Sequence, residues 1–234
     1  MFVRQFQQSL TEAIGEYMRR FAIIGHRAQS SGKLPLSDLA SGAGRMDVLI
    51  RALMASLMTS HGFRKDSEII LHLWGGPGPK RRLKIIGNEV TGLHAEERSI
   101  AGQIAKVLRE PVPPIGSWTK RSSGIYDSGG SIQETIREWG DSTIVALDAN
   151  AERLWSYNAN IPIESNPHSF ELIDEEELTV TGIDIGFILS DDQTLNLDDY
   201  DGIIRRSIGQ TWLQGHMAIA ICHFLIDEGV ILNL

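Results

Sequence analysis

A single cysteine, Cys222, stands in a chain of 234 residues, so there is no disulfide framework and no CxxC metal pair. Set inside an apolar stretch, it reads as a small buried hydrophobe. No apolar run reaches the roughly 18 to 20 residues that a membrane-spanning helix needs. The first residues alternate polar and apolar instead of forming a signal-peptide core, and the expectation is a cytoplasmic protein with no membrane partner. The fingerprint GxGxxG and the phosphate loop GxxxxGK(S/T) are both missing, which leaves a Rossmann or P-loop nucleotide site unsupported. Neither HExxH nor GxSxG occurs, and the seven histidines are scattered without ligand spacing, so hydrolase and metal-site chemistry have no anchor and no metal is expected.

What is present suits one globular domain: 42% hydrophobic residues, mixed charge, and enough length to bury a sizeable core. The net charge of -8 conceals a division. Residues 1–121 hold eighteen Lys and Arg against ten Asp and Glu, whereas residues 122–234 hold four against twenty. A chain segregated in this way can present a basic face to phosphates while its acidic half lies elsewhere.

Apolar spacing predicts an N-terminal helical extension over residues 1–18 and a single domain from residue 19 to residue 234. Strands are expected at Arg20–His26, Glu68–Trp74, Ser142–Leu147 and Asp184–Leu189, and Lys80–Ile86 reads as a basic strand edge. Helices are expected at Met46–Ser60, His94–Arg109 and Ile132–Trp139, with a short one at Leu197–Ile204. The acidic connection Glu171–Glu177 reads as exposed. Near the end, Arg205-Arg206 gives way to a polar loop, Ser207 to Leu213, that opens an apolar helix reaching Asp227. Strands alternating with helices argue an open, largely parallel α/β sheet with helices on both faces. The loops after Leu147, Leu189 and Arg206 then line the carboxyl edge, where ligands bind in this architecture.

Several stretches carry a resemblance. Phe21-Ala22-Ile23-Ile24-Gly25-His26-Arg27, Ser41-Gly42-Ala43-Gly44-Arg45-Met46-Asp47, Ser60-His61-Gly62-Phe63-Arg64-Lys65-Asp66 and Ser123-Gly124-Ile125-Tyr126 are similar to segments of the archaeal tRNA pseudouridine-54 N1-methyltransferases. That family belongs to the SPOUT (α/β-knot) superfamily, and the resemblance runs from Arg19 to Asp227. It implies a C-terminal trefoil knot, S-adenosylmethionine as cofactor, tRNA as substrate and a homodimer that completes each site. Carried over by position, the cofactor would meet Leu147, Ser190, Ser207, Ile208, Gly209, Gln210, Thr211, Trp212, Leu213 and Ala218. The chain departs from the family pattern in places. Ser190-Asp191-Asp192 stands where the family has Gly-Asp-His, Ala218 where a cysteine is usual, and Gly209-Gln210-Thr211 lacks the usual proline. Two alternatives stay open: a non-catalytic RNA-binding relative, and a methyltransferase for another pseudouridine, as in rRNA.

Methylating N1 of pseudouridine requires that an N–H be deprotonated as it displaces a methyl group from a sulfonium, which calls for positioning and a base and not for a metal. Asp47 and Asp66, flanked by Arg45, Arg51 and Arg64, are the candidates for orienting the base edge or taking the proton. Arg45, Arg51, Arg64, Lys65, Lys80, Arg81 and Arg82 are the expected phosphate contacts.

Overall fold

The computed structural model describes residues 17–155 and 184–234. The expected N-terminal helix falls almost wholly outside the described residues, as does the acidic Glu171–Glu177 connection. Strand β1, Arg19–Gln29, is the middle of the sheet. Its Phe21-Ala22-Ile23-Ile24 run is apolar at every position because both faces are covered, and all four residues are fully buried. On one side lies β4, Ser67–Gly75, and on the other β9, Ile185–Ser190, both parallel to β1. Beyond β9 come β8, Thr143–Leu147, and β10, Ile203–Arg206, also parallel. Beyond β4 the direction alternates through β5, Arg81–Ile86, β7, Ile125–Gly129, and β6, Thr119–Ser122. A two-stranded ribbon, β2 (Met58–Thr59) and β3 (Gly62–Phe63), completes the strands of the described residues. The eight-stranded sheet is thus mostly parallel, with an antiparallel flank that the alternation of helices and strands did not announce.

Helices α1 (Met46–Leu57), α2 (Glu97–Leu108) and α4 (Gly215–Asp227) pack on one face with Phe21, Ile23, Leu71 and Phe187. The short α3, Ile132–Glu138, carries Ile132 and the neighbouring Trp139 to the other face, against Ala22, Ile24, Ile70 and Ile188. Ser131 starts α3 with a reciprocal capping box to Glu134, an S-x-x-E signature legible in the sequence.

Two expectations are corrected here. Leu197–Ile204 is no helix: the Asn196 side chain accepts from the Asp198 backbone N–H, Gly202 has φ 78, and β10 begins at Ile203. Asn, Asp and Gly satisfy their backbone locally, which favours turns. Lys80–Ile86 is no edge either, because β5 lies between β4 and β7. Arg81 and Arg82 are therefore 0% exposed and cannot reach a phosphate. Arg81 pairs with Asp127 toward the α2 side of the sheet, and Arg82 reaches Glu138, Thr135 and Ser128 on the α3 side.

The amino edge is clamped by charge. Arg19 meets Asp66 at 3.0 Å and Asp227 at 2.5 Å, and Arg64 also grips Asp227, at 2.5 and 3.1 Å. His223 donates through Nε2 to the Ser56 carbonyl at 3.0 Å, which leaves Nδ1 to accept from Arg19 at 3.3 Å. Burial, then Arg64 and Arg19, push its pKa down to about 4. Burial likewise pushes His72 down to about 3. Between about pH 6.5 and these values only the unfolded chain takes up the protons. Stability from both histidines is therefore complete above about pH 6.5 and is lost as pH falls below it. The expected result in calorimetric melts from pH 7.5 to 5 is a falling Tm, with the slope reduced by about half in His223→Gln. An unchanged slope would remove His223 from this account. Comparing variant with parent isolates His223 from Glu68, whose burial raises its carboxyl and acts in the opposite sense.

Candidate active site

The carboxyl ends of β8, β9 and β10 stop at nearly the same level, and the chain beyond each turns away to leave a cleft of about 230 Å³. Leu147, Ser190, Ile208, Gly209, Thr211, Trp212, Leu213 and Ala218 line it, eight of the ten positions that the sequence suggested. Ser207 lies behind the wall. Its backbone N–H donates to the Glu152 carbonyl at 2.6 Å, its carbonyl accepts from Leu154 at 2.8 Å, and its hydroxyl accepts from the Gly209 N–H at 3.0 Å. It shapes the loop without facing the cleft. Gln210 is exposed and does not line the cleft.

The serine that replaces the expected glycine is accommodated. The Ser190 hydroxyl donates to the Gln193 carbonyl at 2.5 Å, folding back into its own turn. Gly209 has φ 142, in a region that L side chains rarely adopt, while space beside its α-carbon is open. Gly215 is small for a packing reason: a β-carbon there would meet Ile23 Cδ1 at 2.9 Å. Cys222 is fully buried, and burial pushes its thiol up, so it stays protonated and inert.

Beside the cleft a bank of charges joins the turn after β9 to the last residues of β1 and the loop that follows it. Asp191, its side chain wholly buried, accepts from the His26 backbone N–H and ring Nδ1, both at 2.8 Å, and from the Gln193 N–H at 3.1 Å. Asp192 meets Arg27 and, at 3.5 Å, Arg45. Among the described residues Arg45 alone is a non-glycine at positive φ, 67, where such a conformation costs about 1–2 kcal/mol. The strain places its guanidinium between Asp192 and Asp47, the latter at 3.2 Å. Asp47 is largely buried and also faces Arg51 at 3.7 Å, so its oxygens are engaged by cations.

The candidate catalytic residues are thus divided. Arg45 and Asp47 stand near the cleft, but the structure does not bring Asp66 there. It precedes Ser67, which pairs with Arg19 at the amino edge, about 20 Å from Ser190 at roughly 3.3 Å per strand residue. Asp66 holds Arg19 and belongs to the clamp, as does Arg64. Of the expected phosphate contacts, Arg51 pairs with Glu97 at 2.8 Å, while Lys65 and Lys80 are exposed, Lys80 lying over the Trp74 ring. The sequence reading missed Asp148 and Arg205, the cleft's opposed charges, which sit at strand ends 3.6 Å apart. Their only signal was their place, Asp148 directly after Leu147 and Arg205 two residues before Ser207. Among the described residues no group of three His, Cys, Asp or Glu is placed to hold a metal, and no helix is long and apolar enough to cross a membrane.

The fold is a mostly parallel sheet covered on both faces, with three strand ends and the loop into the last helix gathered at one edge. Archaeoglobus fulgidus Nep1 bound to S-adenosylhomocysteine shares it, with a TM-score of 0.57 at 12% identity over 91% of this chain and 99% of that one. Residues 18–228 match the family described as "Putative SAM-dependent RNA methyltransferase", and the chain belongs to that family. It is 37% identical over 162 residues to the tRNA (pseudouridine(54)-N(1))-methyltransferase of Methanocella arvoryzae, covering 69% of this chain and 80% of that one. The enzyme of the same name from Halobacterium salinarum is 31% identical over 90% of this chain and 96% of its own length.

Proposed function

We propose that the protein is an S-adenosylmethionine-dependent methyltransferase acting on N1 of pseudouridine-54 in the tRNA T-loop. The observation that carries this reading is the cleft, built at the three expected strand ends in a chain that covers most of the length of relatives named for that activity. The residues fit the cofactor: apolar side chains such as Ala146, Ile188 and Leu197 suit an adenine, and Asp148 and Arg205 oppose each other as a zwitterion requires. The bound cofactor supplies an electrophilic methyl group on a sulfonium. Pseudouridine N1 would take that methyl group while giving up its hydrogen as a proton to a rim carboxylate or water. Asp47 and Asp192 hold Arg45 at the rim, where its charge stabilises a uracil ring that is losing a proton. Asp47 in this reading orients Arg45. The target base must leave its stack to reach the cleft, and of the expected phosphate contacts exposed Lys80, beside the carboxyl end of β4, remains a cation for its backbone, whereas Lys65 follows Arg64 at the amino edge.

Calorimetric titration tests the cofactor reading: the parent is expected to bind S-adenosylmethionine, and Gly209→Val to bind it roughly tenfold more weakly through about 1–3 kcal/mol of backbone strain. Equal affinities would move the pocket elsewhere.

The same reading includes a C-terminal knot, work in the cytoplasm and a homodimer. Support for the knot is the return of the chain from outer β10 to pack α4 on central β1, where Gly215 meets Ile23. Support for the dimer is an apolar stripe on the outer side of α4, with Met217 and Phe224 49% and 54% exposed in line with Leu213 and Ala220. Ile219 and Leu225, on the opposite side of α4, lie in the chain's own core. Sedimentation at micromolar concentration should show a dimer that Phe224→Glu converts to monomer. A monomeric parent would exclude the stripe as an interface.

A further inference from the structure

Resting on the cofactor reading above, we propose that Arg205 and Asp148 hold the amino-acid end of the cofactor, Arg205 taking its carboxylate and Asp148 its ammonium. The argument is one of elimination. That end carries both charges at neutral pH, and an ion taken from water without a partner costs several kcal/mol, so the cleft must offer one group of each sign. Of the residues lining it, Asp148, Asp191 and Arg205 are charged. Asp191 is fully buried and accepts three hydrogen bonds from His26 and Gln193, so it has little left to offer.

Arg205 and Asp148 are different. Each is about one-third exposed, and their 3.6 Å separation is longer than a hydrogen bond. Both are also held in place by other partners. Arg205 pairs with Ala146 in the sheet register, and its second nitrogen donates to Asp198 at 2.5 Å. The Asp148 carboxylate accepts from the Asn150 backbone N–H at 2.9 Å. One guanidinium nitrogen and one carboxylate oxygen thus face each other across a gap that a zwitterion can bridge, exchanging one loose ion pair for two charge-assisted contacts.

The test compares two ligands that share the adenosine and thioether portion. S-adenosylhomocysteine carries the amino-acid end, whereas 5′-methylthioadenosine lacks it. By calorimetry, Arg205→Met and Asp148→Asn should each weaken S-adenosylhomocysteine about 10- to 100-fold and leave 5′-methylthioadenosine within about twofold of the parent, which also certifies that the variants are folded. Equal losses for both ligands would mean that the pair shapes the nucleoside part of the cleft, and would overturn the assignment. So would S-adenosylhomocysteine affinity that neither substitution changes. A parent that binds neither ligand would instead refute the cofactor reading, and the assignment with it.

Discussion

Transcripts of one tRNA that differ only at the T-loop position should behave oppositely: pseudouridine there accepts a methyl group, and uridine accepts none. The contrast is chemical. In pseudouridine the ring is joined to the sugar through carbon, so N1 bears a hydrogen and can be methylated after losing it. In uridine the same nitrogen is bonded to the sugar and has no proton to give. No adjustment of the cleft can substitute for that missing N–H, so the expected effect is complete loss and not a change in rate. Transfer of labelled methyl from S-adenosylmethionine, followed by mass spectrometry of the nucleosides, measures it. Equal labelling of the two transcripts would end the N1 assignment, and label on pseudouridine in rRNA alone would favour the alternative target.

Arg81→Met should destabilise the fold by about 3–5 kcal/mol, because it leaves a buried carboxylate short of its partner. All five guanidinium donors of Arg81 are engaged: Nε and Nη2 with Asp127 at 2.7 and 2.6 Å, Nη2 also with the Val107 carbonyl, and Nη1 with the carbonyls of Ser30 and Glu110. One side chain thus binds β7, the last turn of α2 and the chain leaving β1. After substitution Asp127 keeps only Arg121, at 2.8 Å. For a chain of this size the Tm should fall by roughly 6–20 °C, whereas Lys80→Ala, which removes only an exposed contact with the Trp74 ring, should change stability by less than about 1 kcal/mol. Were Arg81 the phosphate contact that its place in a basic run suggests, the order would reverse, with RNA affinity falling and Tm unmoved.

Why that run misleads is a matter of range. Burial of an arginine depends on acceptors that come from far along the chain, here Asp127 for Arg81 and Glu138 for Arg82, and no local pattern discloses them. Strands such as Phe21–Ile24 and Phe187–Leu189 were legible because uninterrupted apolar residues can be satisfied only between two covered faces. The cleft was legible for a related reason: parallel strands end on one edge, and three strand ends could be named before their order was known. Asp47 and Asp66 show the limit. Both stand among arginines, yet α1 runs back along the sheet between them, so one begins the helix at the carboxyl edge and the other follows it at the amino edge. Spacing in sequence does not say which way a helix has carried the chain. The Leu197–Ile204 segment failed for a smaller reason, since its Leu, Tyr and Ile spacing suggested a helix while Asp and Gly in the same window favoured a turn.

The central place of β1 also bears on how the chain is made. Arg19 pairs with Ser67 on one side but with Ile185, 166 residues later, on the other. At synthesis rates of about 5–20 residues per second, the ribosome needs roughly 8 to 33 s to deliver that second neighbour. Through that interval a strand apolar on both faces has one unpaired edge, open to wrong partners. Final closure waits on the most distant pairing in the sheet, and a nascent chain of this design depends on being shielded from its neighbours until β9 arrives.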